Sequence, residues 1–538
     1  MGAVNGGTLK DRRNYFKMKY KTAVGLVLLS LIVSNEALRI LVCYPMTSKS
    51  HSILGHGVVN RLLEAGHEVT HITSFPRGIA HPNLREVNVS RIAEAFLEDK
   101  KSTEEFALKN MVGKGNFAES VMFLYYVYLI HKNFLEFPSV VELFSDPNEK
   151  FDAVILEWFF TELNSGIPAL FDCPLIWVCS TEPDWHAFRI MDGITNPAYS
   201  LDLFTHYTLP LSFWQRAEGL YKLVKKNLQL LVFYQFEKWT YNSYYPAVAA
   251  KRGVTMPPYE EAVYNGSLMF LNAHPSIGGA MKLPQNTVNI AGYHIDKTKP
   301  LPQDLQKLMD EAKDGVIYFS MGSILESSGM SENMKRSLLN MFSKYKQTVI
   351  WKFETDLTGI PDNVHLVKWA PQTSILAHPN LRLFITHGGQ LSTSEAIHYG
   401  VPVVGLPVMA DQVLNMKSTA AKGFGIHVTI SEDMYEDLDT AVRKVLDDKT
   451  YAKKAKELSA LFHDREMPPG KAVPYWVEYI VRNRGAPHLR SPALHVPLYQ
   501  KLYLDLAVVL TIIIVLITKA VKYILGCRSK EQKKEKSS

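Results

Sequence analysis

Short apolar, β-branched runs alternate with helical patterns along this chain, and they do so in two series. The first contains Leu38–Tyr44, Glu68–Thr73, Asp152–Leu156 and Leu175–Cys179. The second contains Gly315–Phe319, Thr348–Phe353, Val364–Val367, Leu381–Thr386 and Pro402–Leu406. A strand with no polar face needs cover on both sides, so this grammar predicts an α/β chain with two doubly wound, Rossmann-like domains. Residues 283–302 carry several prolines and no clear period, which makes them the expected linker. The domains are expected at 38–285 and 286–490. Such sheets bind ligands at the carboxyl ends of their strands, so the two halves are expected to face a cleft.

The net charge of +6 sits at the ends: residues 1–21 carry +5, residues 519–538 carry +5, and the body carries −4. An acidic body argues against a nucleic-acid partner. Arg12, Arg13, Lys17, Lys19 and Lys21 precede the uncharged run Thr22–Ser34 and the small residue Ala37, the pattern of a signal peptide over 1–37, with Met18 as a second possible start. Residues 502–525 contain the uncharged core Leu506–Thr518, with Lys519 and Lys522 able to snorkel, and predict one transmembrane helix. The basic tail 526–538 is then expected in the cytosol and the body in a lumen. Lysines three and five residues from the end, Lys536 and Lys534, resemble the dilysine signal of type I proteins of the endoplasmic reticulum membrane. Sequons at Asn88 and Asn265 fit a lumenal body. Cys43, Cys173 and Cys179 are too few for a disulfide framework. The stretch Phe213–Trp239 mixes aromatic and aliphatic residues with Lys222, Lys225 and Lys226; it lines an acceptor pocket, rests on a membrane, or packs as an ordinary amphipathic helix.

Two familiar patterns are set aside. His67-Glu68-Val69-Thr70-His71 matches the zinc peptidase motif HExxH, but Gly66 closes a helix and the following residues favour a strand, which spreads the imidazoles ~13 Å apart at 3.3 Å per residue. Asp437-Leu438-Asp439 looks like a metal-holding DxD, yet it lies in a helical pattern with the apolar stripe Ala441, Val442 and Val445. No other His, Cys, Asp or Glu group has metal-ligand spacing, so metal-independent chemistry with no cofactor is expected.

Chemistry is expected at strand ends. His51 follows the strand Leu38–Tyr44 at the start of a helical pattern, where the dipole disfavours the charged imidazole and leaves a general base; a plain helix cap is the alternative. His56 is one turn on. Glu157 follows Asp152–Leu156 at the same sheet edge and suits a partner for that base, with Glu162 as the other choice. In the second half, Leu381–Thr386 runs into His387-Gly388-Gly389 and then a helix, a turn whose free amides suit a diphosphate. Ser392-x-x-Glu395 also reads as a capping box.

Trp369-Ala370-Pro371-Gln372, His387-Gly388-Gly389, Glu395 and Pro407-Val408-Met409-Ala410-Asp411-Gln412 together resemble the signature of the UDP-glycosyltransferases, especially the animal family of the endoplasmic reticulum membrane and its invertebrate members. The resemblance implies a GT-B-like fold and inverting transfer of a hexose from a UDP-sugar, UDP-glucose favoured over UDP-glucuronic acid, to a hydroxyl of a small lipophilic acceptor. It implies that His51 is the catalytic base and that Glu157 stands where relatives often have aspartate. Trp369 would stack on uracil, Gln372 would meet the base or ribose, and Glu395 would take the ribose hydroxyls. His387, Gly388, Gly389, Ser392 and Ser323 would hold the diphosphate, and Asp411 and Gln412 the sugar. Leu391 stands where many relatives carry Asn. A non-catalytic carrier of the same fold is the alternative, and self-association is left open.

Overall fold

Each apolar run becomes a strand because its neighbours bury both faces. The structure, a computed structural model, describes residues 37–98, 108–112, 117–192 and 196–535. Nearly all of the expected leader and the last residues of the tail, Lys536 included, lie outside them.

The first sheet contains β1 (Arg39–Tyr44), β2 (Glu68–Thr73), β3 (Leu84–Asn88), β4 (Ala153–Trp158), β5 (Leu175–Cys179), β6 (Gly266–Leu271) and β7 (Thr287–Asn289), in spatial order 3-2-1-4-5-6-7. The second contains β8 (Val316–Ser320), β9 (Thr348–Lys352), β10 (Val364–Val367), β11 (Leu381–Thr386), β12 (Val403–Gly405) and β13 (Gly425–His427), in order 10-9-8-11-12-13. All pairings are parallel. Both orders reverse direction once, between β1 and β4 and between β8 and β11, and these switch points are where a doubly wound sheet opens a crevice.

Four strands were not foreseen. β7 falls in the expected linker yet hydrogen-bonds to β6, so the first sheet extends past residue 285. β3, β6 and β13 were also missed: β3 is a half-exposed edge strand with Arg85 and Glu86, and β13 has three residues. β4 runs two residues beyond its expected end, which puts Glu157 inside the strand, opposite Val178.

The helices that matter for the site are α1 (Lys49–Glu64), α2 (Val121–Leu135), α3 (Phe213–Arg252), α4 (Gln390–Tyr399), α5 (Gln412–Lys422), α6 (Pro469–Arg482) and α7 (Leu504–Glu535). The two lobes are joined by more than the connection after β7. Leu108 and Met111, from a segment between β3 and α2, belong to the core around β8 and β9 of the second lobe. Helix α6 returns to α1 of the first lobe, with Glu478 Oε1 3.3 Å from His67 Nε2. Within α7, Leu504–Gly526 is unburied, has a mean hydropathy of 2.5 and is long and apolar enough to cross a membrane.

Candidate active site

At the first switch point, Ser48 caps α1 and accepts from the His51 N–H at 3.4 Å, so His51 is the third residue of that helix. Its Nδ1 meets Oε1 of Glu157, reached from β4. Ser180 Oγ, just past β5, donates to the same oxygen at 2.5 Å. Glu157 is 1% exposed, and the Phe159 ring lies edge-on to the imidazole at 4.6 Å. Three adjacent strand ends thus supply one hydrogen-bonded chain, Ser180 to Glu157 to His51. Glu162, the other candidate partner, is engaged elsewhere, by Trp158 Nε1 at 2.9 Å and by Arg189.

At the second switch point the backbone shapes the site. The His387 ring lies between Gly322 and Gly389: a Cβ on either glycine would stand 2.5 or 2.6 Å from a ring atom. Burial, helped by Lys352, pushes the His387 imidazole down to about 4, so it is neutral at physiological pH. The Gly388 N–H donates to Thr386 Oγ1 (3.2 Å) and is therefore not available to a ligand. Helix α4 opens at Gly389 with no side-chain cap. The capping-box reading of Ser392 and Glu395 is corrected by this start: Ser392 is already inside the first turn. Its hydroxyl instead accepts from Gln372 Nε2 (3.1 Å), and the same amide donates to Glu395 Oε2 (2.6 Å). Tyr318 OH completes this set at Gln372 Oε1 (3.3 Å). Thr393 Oγ1 donates to Gly389 O (3.1 Å), so neither hydroxyl near Leu391 is left unengaged.

Trp369 is 55% exposed, and two ammonium groups address its indole: Lys49 from the first lobe at 4.7 Å and Lys352 at 5.9 Å. Ser323 follows Gly322 and is half-buried. Asp411 does not cap α5; its carboxylate accepts from Asn415 Nδ2 (2.8 Å). Burial raises the Asp411 carboxyl, while the hydrogen bond from Asn415 and the charge of His51 in the first lobe oppose that rise. Gln412 Oε1 accepts from the Val408 and Met409 N–H groups at 2.9 and 3.1 Å, leaving its amide nitrogen as the donor. Ala410, between them, has φ 54°, and Phe160 on the facing lobe has φ 55°. Left-handed backbone in a non-glycine residue costs about 1–3 kcal/mol and clusters where a site demands it.

The lobes also touch through Gln390, whose Nε2 donates to Glu182 Oε2 (3.1 Å) and Asn272 O (3.0 Å). Burial pushes Glu182 up to about 8. Ser180, Lys49, Lys352, Glu182 and Gln390 were missed by sequence reasoning. Ser180 was within reach, because it ends a strand as Glu157 does.

The set-aside patterns resolve as expected. His71 lies in β2, with His67 just before it, and Asp439 sits in the helix Tyr435–Asp447, paired with Arg443 at 2.9 Å. One grouping was not foreseen: His56, His71 and Glu86 bring ligand atoms within 4.8 Å of one another. Their spacing in sequence conceals it, since β2 and β3 pair His71 with Glu86. Arg77 Nε lies 3.6 Å from Glu86 Oε1, so that carboxylate already has a cation. Of the sequons, Asn88 and Asn265 are both exposed, and Asn265 Oδ1 accepts from Arg490 Nη1 at 2.7 Å.

The family model described as UDP-glucoronosyl and UDP-glucosyl transferase matches residues 39–537. UDP-glucosyltransferase 2 of Dactylopius coccus is 32% identical over 507 residues, 93% of this chain and 95% of that protein. UDP-glucuronosyltransferase 3A2 of Homo sapiens is 28% identical, covering 90% of this chain and 92% of its own length. Among solved structures, the calicheamicin glycosyltransferase CalG4 shares the fold with a TM-score of 0.54 at 17% identity, over 83% of this chain and 99% of that one. A GT-B architecture, candidate residues gathered at both switch points and a family match along nearly the whole body agree, and the chain belongs to the UDP-glycosyltransferase family and is a UDP-sugar-dependent glycosyltransferase.

Proposed function

We propose that this enzyme inverts the anomeric centre as it transfers a hexose, glucose in preference to glucuronic acid, to a hydroxyl of a small lipophilic acceptor, without a metal. The observation that carries the reading is the Ser180–Glu157–His51 chain, a carboxylate-held imidazole at the strand ends of the first lobe. Glu157 on Nδ1 holds the ring proton there and leaves Nε2 as the base. His51 takes the acceptor's proton as the acceptor oxygen attacks the anomeric carbon. The bond from that carbon to the phosphate oxygen breaks, and UDP departs with the electron pair. Glu157 stabilises the imidazolium until its proton is lost to water.

The departing diphosphate meets the amino terminus of α4, the neutral His387, Ser323, Ser392 and the ammonium groups of Lys352 and Lys49. Trp369 offers its exposed face to uracil, Gln372 and Glu395 exchange their mutual bond for ribose, and Asp411 with Gln412 takes the sugar hydroxyls. The preference for glucose is supported by the 32% identity to UDP-glucosyltransferase 2 of Dactylopius coccus along nearly the whole of both chains. A carrier would have no use for a carboxylate-backed imidazole, which weighs against the non-catalytic reading. The apolar helix α7 and the basic tail support a type I anchor in the endoplasmic reticulum membrane with a lumenal body.

The test is UDP release from UDP-glucose and from UDP-glucuronic acid with a panel of phenols and sterols, with the anomeric configuration of the product read by NMR. A β-glucoside is expected. An α-linked product, or faster turnover of UDP-glucuronic acid, overturns the reading.

A further inference from the structure

The amino-terminal half of helix α3, residues 213–232, is turned inside out, while its other half packs Tyr241, Tyr245 and Val248 into the core. In a soluble amphipathic helix the apolar side faces the body and the charges face water. Here Lys222 reaches inward to Glu119 (3.3 Å), Lys226 pairs with Asp202, and Glu237 is buried against Thr161 and Tyr259. Between Phe213 and Trp239, ten large apolar side chains are 47–78% exposed. Trp214, Tyr221 and Leu228 recur every seven residues, as do Val224 and Leu231, so they line one face. At 1.5 Å per residue that stripe is ~40 Å long. Helix α2 widens it: Met122 and Tyr125 are exposed, Tyr125 stacks on Tyr128 at 6.3 Å, and Tyr128 lies 6.0 Å from Phe236. Single exposed apolar residues need no explanation, but a continuous face does.

We infer that this face rests in the headgroup and upper acyl layer of a lipid bilayer. Trp214 and Trp239 close its two ends, and Arg216 and Lys225 are exposed along the same helix, the aromatic and basic composition of interfacial helices. The inference rests on reading α7 as an anchor, which keeps the body within reach of lipid; the segment leading into α7 exposes Leu498, Tyr499 and Tyr503 as well. The surface also connects to the chemistry. Helix α2 carries Phe123, 6.1 Å from Phe159, whose ring is 4.6 Å from His51. One helix thus joins the lipid-facing side to the proposed base through packed aromatic rings.

The experiment uses the full chain with Cys527→Ser, reconstituted in phosphatidylcholine vesicles containing doxyl-labelled lipid. Reporter cysteines at Tyr221→Cys and Leu228→Cys, both at exposed positions, carry a bimane fluorophore, and Lys251→Cys is the solvent-facing reference. Lipid quenching at 221 and 228 at least about twofold above that at 251 is expected for a helix lying at the interface. Equal quenching at all three overturns the inference. Oxidative Leu228→Cys dimers in place of quenching also overturn it and assign the face to a second copy. Resistance of the same sample to alkaline extraction reads the anchor separately.

Discussion

The two switch points solve the same problem with different materials. In the first lobe the site consists of side chains delivered by three strand ends, His51, Glu157 and Ser180, and each depends on the next. In the second lobe it is mostly backbone: a glycine-walled histidine and an uncapped helix start, with one large aromatic platform. A site made of side chains has no redundancy, whereas one made of amides and dipoles spreads its work. Single substitutions should therefore damage turnover in the first lobe and donor affinity in the second.

The largest effect is expected for His51→Ala, a fall in kcat of about 10³-fold with UDP affinity unchanged, as loss of a general base gives. Calorimetric UDP titration beside turnover assays reads both; retained turnover removes His51 from its role and breaks the contrast. Glu157→Gln should lower kcat by about 10²-fold, because an amide no longer stabilises the imidazolium. Next comes Trp369→Ala, expected to raise the donor KM by about 10-fold through lost stacking, with kcat nearly intact; a kcat loss rivalling that of His51→Ala would show that the lobes do not divide labour this way. Lys49→Met, from the first lobe but acting on the second, should cost about 2- to 5-fold in donor KM, as an exposed charge contact does.

The smallest expected effect concerns the contact between lobes. Glu182, pushed up to about 8 by burial, keeps its proton where the unfolded chain, at its ordinary value of 4.5, has lost it. Stability should fall as pH rises from 4.5 toward 8. Glu182→Gln keeps the neutral shape, so its Tm should decline less steeply than the parent's across that window. Matching slopes would show that Glu182 is charged at the interface.

Legibility in the sequence followed the same divide. Ser323 apart, the donor residues expected from the sequence fall within Trp369–Gln412, a single stretch of 44 residues, and were readable together. His51 and Glu157 were found because strand ends predict a sheet edge, although they stand 106 residues apart. Lys49 and Gln390 were not, since their partners lie on the opposite lobe and no periodicity encodes that packing. Short or polar strands such as β7 and β3 escaped because tertiary pairing, not their own apolar pattern, makes them strands. The start of α4 was misplaced by three residues because Ser392-x-x-Glu395 is a good local cap, but the glycine turn needs the helix to begin sooner.

Leu108 and Met111, lodged in the neighbouring lobe's core, and α6, lying back across α1, act as stitches on a hinge. With both seams in place the cleft has little freedom to gape. Nucleotide exchange is then expected to turn on local side-chain swings, with Lys49 leaving the indole and the Gln372–Glu395 bond re-forming as ribose departs.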